Sequence, residues 1–118
     1  MEYKRYGNYL ILGKAEKYNL ADRMEFHNCP QKRIGLNNDV KADFILAFYM
    51  LHEMPEHIKF LSEVKTLLKK GGNFLLVEPL FHVSKKYFHR VTQDIKNIGF
   101  TILDTPSKKG GRSLLLSV

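Results

Sequence analysis

The chain has 118 residues, 44% of them hydrophobic and 26% charged. That balance suits one globular core and excludes a disordered or low-complexity chain, so a single domain over residues 1–118 is expected. No apolar stretch approaches the roughly eighteen residues of a membrane span, and the Met1–Tyr6 start lacks a signal-peptide core, so no membrane role is expected. The lone cysteine, Cys29, excludes an internal disulfide and fits a reducing, cytoplasmic setting. A net charge of +7 admits an acidic or nucleic-acid partner. Its lysines, however, fall in pairs at element ends (Lys69-Lys70, Lys85-Lys86, Lys108-Lys109), and no aromatic-and-basic stripe stands at strand spacing.

The predicted elements run as follows. Tyr9–Leu12 reads as a short strand, Gly13–Tyr18 as the start of a helix, and the alternating Met24–His27 as a half-buried strand that Cys29-Pro30 ends. Residues 31–42, with Gly35 and Asn37-Asn38-Asp39, read as a loop. Asp43-Phe-Ile-Leu-Ala-Phe48 then opens a continuous apolar run ending at His52-Glu53, which predicts a strand buried on both faces, as inside a parallel sheet. From Pro55 to Lys69 a helix is expected, with Ile58, Leu61, Val64 and Leu68 on its buried stripe and Gly71-Gly72 stopping it. Asn73–Glu78 is a second buried strand, again ending in an acid followed by Pro79. Ser84 caps a second helix, whose inner face carries Tyr87, Val91, Ile95 and Ile98 and which Gly99 closes. Phe100–Leu103 and Arg112–Val118 are two further strands, joined by a loop short enough to make them antiparallel.

This order, carrying these residues, resembles the C-terminal portion of a class I S-adenosylmethionine-dependent methyltransferase. Asp43–Phe48 with Leu51-His-Glu-Met-Pro55 resembles the family's fourth strand, and Leu67-Leu-Lys-Lys-Gly-Gly72 its Leu-Lys-Pro-Gly-Gly turn, with Lys70 in place of proline. Phe74-Leu-Leu-Val-Glu-Pro79 resembles the fifth strand, Ile98-Gly-Phe100 the approach to the sixth, and residues 20–30 the third strand and its turn. The resemblance implies an α/β, Rossmann-like sheet, truncated, mostly parallel, with an antiparallel C-terminal strand pair. It also implies S-adenosylmethionine as cofactor and methyl transfer to an acceptor that the sequence does not name, a small molecule being one candidate. The family's Gly-x-Gly-x-x-Gly loop, which brings backbone amides to the cofactor, has no counterpart in residues 1–20, nor does the acid that binds the ribose hydroxyls. The family's sheet order is 3-2-1-4-5-7-6. Without strands one and two a gap on the order of 10 Å would split the sheet and leave the Asp43 strand as an unpaired apolar edge. Either a rearranged sheet or closure by a second copy or a complementing chain is therefore expected. A non-catalytic remnant serving binding or oligomerisation is the alternative reading, and a basic nucleic-acid-binding domain a further one.

Within the resemblance, His52 and Glu53 are the candidate catalytic pair, His52 as a base, although the two can equally cap the following helix. Cys29, Phe48 and Tyr49 are the cofactor-side candidates; Met50, Glu78, Phe81 and His82 are the acceptor-side ones. Phe48 and Met50 also read as core, Glu78 as a hydrated strand end, and Cys29 as a small buried hydrophobe. His52-Glu53 with His57 lacks the spacing of a zinc helix, and no metal site is expected.

Overall fold

The computed structural model describes residues 13–30, 33–37, 39–81, 83–106 and 111–118. The expected Tyr9–Leu12 strand and His82 lie outside the described residues. The chain divides into two compact units, residues 1–30 and 31–118.

In the first unit, residues 13–17 are helical, as their composition favours, and Ala21–Arg23 form a single 3-10 turn. Residues 24–30 form no ladder, and the side chains of Met24 and Phe26 are exposed, so the half-buried strand expected there is not formed. Alternation alone does not make a strand, which also needs a neighbouring strand to pair with.

The second unit is a four-stranded sheet with two helices. β1 is Ala42–Phe48, α1 His57–Leu67, β2 Leu68–Pro79, α2 Lys85–Ile98, β3 Thr101–Asp104 and β4 Gly111–Ser117. The sheet order is β1-β2-β4-β3, with β1 parallel to β2 and the other pairs antiparallel. This is the 4-5-7-6 part of the order that the resemblance implies, so these strands are not rearranged.

Register sorts the side chains. Ile45 and Ala47 stand beside Phe74 and Leu76, which stand beside Leu116 and Leu114, so these six share one face of the sheet. Together with Leu61 and Val64 of α1 and Val91 and Ile95 of α2 they form the core. Each fully buried side chain of this size contributes about 1.5–3 kcal/mol. α2 keeps its expected grammar. Ser84 Oγ accepts the Tyr87 N–H at 3.0 Å, and Gly99 takes the left-handed φ of 116° that closes α2.

Two expectations about this region are corrected. β1 is not buried on both faces: Ala47 is covered, but Phe44, Leu46 and Phe48 on the other face remain 54%, 55% and 45% exposed. Among the described residues β1 has a strand neighbour on one side only. Nor do Gly71-Gly72 stop α1. The helix ends at Leu67, and Leu68 is already extended and pairs with Ala42. Between Leu68 and Asn73 the chain bulges, spending five steps against two on β1 from Ala42 to Phe44. Gly71 supplies a φ of 83° there, and a Cβ on Gly72 would lie 2.9 Å from the Lys69 carbonyl oxygen and 3.0 Å from that of Asp43. The glycines thus serve the strand bulge rather than the helix end.

Candidate functional site

β1 and β2 run parallel, so their carboxyl ends emerge side by side, where open α/β sheets build ligand sites. At the end of β1, Tyr49 adopts a left-handed φ of 58°, and its N–H donates to the Val77 carbonyl at 2.8 Å. Such a conformation costs a non-glycine residue about 1–2 kcal/mol. It turns the chain sharply, so that the 3-10 turn Leu51–Glu53 passes over the end of β2.

Glu78 waits there, fully buried. Its Oε1 accepts the Leu51 N–H at 2.9 Å, and its Oε2 accepts the His52 N–H at 3.0 Å and pairs with His52 Nδ1 at 3.1 Å. Burial pushes the Glu78 carboxyl above its ordinary value, while His52 and the two backbone N–H groups pull it back down. Against an ionised Glu78, which only accepts, Nδ1 is the donor of this pair. Nε2 lies 3.8 Å from Glu53 Oε1, and the Glu53 side chain is largely solvated.

Behind this pair, His57 Nε2 meets Asp94 Oδ2 at 2.9 Å, tying α1 to α2. Tyr87 sets its ring edge against His57, and its hydroxyl is pushed up by burial and by the Glu78 and Asp94 charges. A polar thread thus runs under the sheet end within an otherwise apolar core.

The sequence candidates separate as follows. Tyr49, His52 and Glu53, with Pro79, line one cavity of about 260 Å³. Glu78 lies beneath it as the carboxylate holding His52. Phe48 stacks on Tyr49 with ring centres 4.0 Å apart. Met50 packs against the core, and Phe81 projects into solvent, 91% exposed. Cys29 belongs to the first unit and is exposed rather than buried. His52 and Glu53 do not cap α1, whose N-cap is Glu56. Sequence reasoning missed Pro79 as a wall, the His57–Asp94 tie, and Gly111, where a Cβ would meet Val77 at 3.2 Å and the Tyr49 ring at 3.8 Å. A glycine opening a strand was the available signal for the last. Among the described residues no group of three potential metal ligands converges, and no helix is long and apolar enough to cross a membrane.

Among the described residues, the cavity at this end of the sheet is smaller than a site for a whole S-adenosylmethionine. Ligand pockets of that class run to roughly 300–1,000 Å³, whereas this cavity is about 260 Å³. The sequence has no glycine loop for the cofactor, and the carboxylates at this end are one solvated and one engaged by His52. What stands here is one wall of a site, carrying the His52 imidazole.

Comparison with known proteins places this geometry. A family profile described as a methyltransferase domain matches residues 9–105. The structure is similar to a SAM-dependent methyltransferase from Aquifex aeolicus, with a TM-score of 0.72 at 20% identity, covering 90% of this chain and 61% of that one. It is also similar to an O-methyltransferase family 2 protein from Planctomyces limnophilus, solved in complex with apigenin (TM-score 0.71, 17% identity, 91% of this chain and 38% of that one). An O-methyltransferase family protein from Burkholderia thailandensis matches with a TM-score of 0.65 at 14% identity, over 87% of this chain and 38% of that one. The chain therefore spans between about two fifths and three fifths of the length of these relatives. No curated protein sequence matches it. With its profile match over most of the chain, and its sheet in the 4-5-7-6 order, the chain belongs to the methyltransferase-domain family.

Proposed function

We propose that the chain forms the acceptor side of an S-adenosylmethionine-dependent methyltransferase site, with His52 as the base for a hydroxyl acceptor. The observation that carries this reading is the Glu78–His52 pair at the carboxyl ends of two adjacent parallel strands. S-adenosylmethionine, when bound, supplies an electrophilic methyl group. The task left to the protein is to orient the acceptor and take its proton. Glu78 holds the imidazole by Nδ1 and by the neighbouring backbone N–H, and in this reading Nε2 is the atom that takes the acceptor's proton. Two of the similar structures are named as O-methyltransferases, which supports a hydroxyl as the acceptor class.

The cofactor-binding half comes from elsewhere in this reading, from a complementing chain docked along β1 or from a second copy whose residues stand in for the glycine loop that this sequence lacks. The half-exposed Phe44, Leu46 and Phe48 support such a docking face. Calorimetric titration with S-adenosylhomocysteine, with the mass determined on the same sample, tests the reading. Micromolar binding by a dimer would support it, and His52→Ala should then abolish transfer to a phenolic acceptor while leaving cofactor binding intact. No binding at millimolar ligand would sink the idea that this chain, alone or self-associated, holds the cofactor. The small cavity favours a second reading in that event, a methyltransferase-like module that binds or oligomerises without catalysis.

A further inference from the structure

The outer face of α2 is strongly basic. Its exposed positions are Lys85, Lys86, His89, Arg90, Gln93, Lys96 and Asn97. At 3.6 residues per turn these positions fall on one stripe, opposite the buried Val91 and Ile95. None of the four lysine and arginine side chains has an ion-pair partner among the described residues. Asp94, the helix's one acid, is turned aside and engaged by His57. The outer face of α1 differs, since there Lys59 lies 3.9 Å from Glu56, and the Glu63 carboxylate accepts the backbone N–H groups of Ile34 and Gly35.

We infer that this face of α2 docks on the phosphate backbone of a nucleic acid. From Lys86 to Lys96 the helix rises about 15 Å at 1.5 Å per residue. Phosphates on one strand of a duplex advance about 3.4 Å each, so the stripe spans about four of them. The stripe is also rigid. Ser84 caps its start, Gly99 closes its end, and the His57–Asp94 tie holds it to α1. A lipid surface fits less well, because an interfacial helix must offer an apolar face to the bilayer, and α2 spends its apolar face on the core. The whole-chain charge of +7 adds long-range attraction of the same sign. The face has no base-reading aromatic, so binding is expected to be independent of sequence. This inference does not depend on the methyltransferase reading.

The experiment is fluorescence anisotropy of the full chain with a labelled twelve-base-pair DNA duplex across a salt series. Micromolar binding at low salt is expected. With four phosphates neutralised, the slope of log K against log salt should be about −3.6, at roughly −0.9 per contact on a duplex. The double variant Lys86→Gln/Arg90→Gln should weaken binding at least tenfold and flatten the slope by about half, with the circular dichroism spectrum unchanged. The control Lys59→Gln/Lys69→Gln removes the same charge elsewhere and should weaken binding less than threefold. An equal loss in the control would overturn the inference, because attraction would then reside in net charge and not in this face. Tighter binding to phosphatidylserine vesicles or to polyglutamate than to the duplex would overturn it as well.

Discussion

β1 and β2 are nearly interchangeable as strings of apolar residues, Phe44-Ile-Leu-Ala-Phe48 against Phe74-Leu-Leu-Val77, yet they live in different surroundings. β2 lies between β1 and β4, with Phe74 and Leu76 sealed under the helices and Val77 covered on the opposite face. β1 has the same helix-side cover for Ala47 but leaves alternate large side chains half in water. The contrast teaches that a continuous apolar run reports how many faces a strand is suited to bury, and the neighbours decide how many it does bury.

The largest expected effect lies in the centre of this contrast. Leu76→Ala should cost about 2–5 kcal/mol by opening a cavity where no side chain can collapse. Leu46→Ala, one strand over and on the exposed face, should cost less than about 1 kcal/mol. Urea denaturation of both variants checks the pair, and similar losses would mean that β1 is covered in solution. Glu78→Ala comes next. It strands the N–H groups of Leu51 and His52 beside an apolar core, for a cost of about 1–3 kcal/mol. The same variant should lose any methyl transfer that depends on an oriented His52.

The pH dependence sharpens the role of Glu78. Its folded carboxyl titrates above its ordinary value of 4.5, chiefly because it is buried. The folded state therefore binds more protons than the unfolded state between the two values, and this group's contribution falls as pH rises through that window. Glu78→Gln should remove that fall, so melting temperatures of wild type and variant measured upward from pH 4 should not run parallel. The smallest expected effect returns to β1. Leu46→Lys should change the stability of the isolated chain by about 0.5 kcal/mol or less, since the side chain already meets water. If a second copy or another chain seats on this face, the same substitution should shift the sedimentation mass toward the monomer. An unchanged oligomer would remove β1 from the interface.

How far the sequence could be read follows the range of the interactions involved. α2 was legible to the residue, because Ser84, the Val91–Ile95 stripe and Gly99 each act within a turn or two of one another. The 3-10 turn at Ala21–Arg23 and the non-strand conformation of residues 24–30 were not legible, because alternation at Met24–His27 makes a strand only where another strand pairs with it. At the site, His52, Glu53 and Glu78 were recognisable as polar residues at the ends of apolar runs. That Glu78 reaches back across 26 residues to hold the ring of His52 was not. The His57–Asp94 tie spans 37 residues and left no mark on either helix pattern.

By itself the sequence determined the order of elements from β1 onward, the caps of α2, the antiparallel β3–β4 pair and the family likeness, all carried by local propensity and by motifs a few residues long. Only the tertiary structure decided that β1 is half exposed, that Gly71-Gly72 make a strand bulge, and that Glu78 is a buried carboxylate clamped on the turn after β1. The reason is the same in each case. Burial and hydrogen bonding between distant segments depend on which surfaces meet, and a residue's own neighbours in the chain carry no record of that.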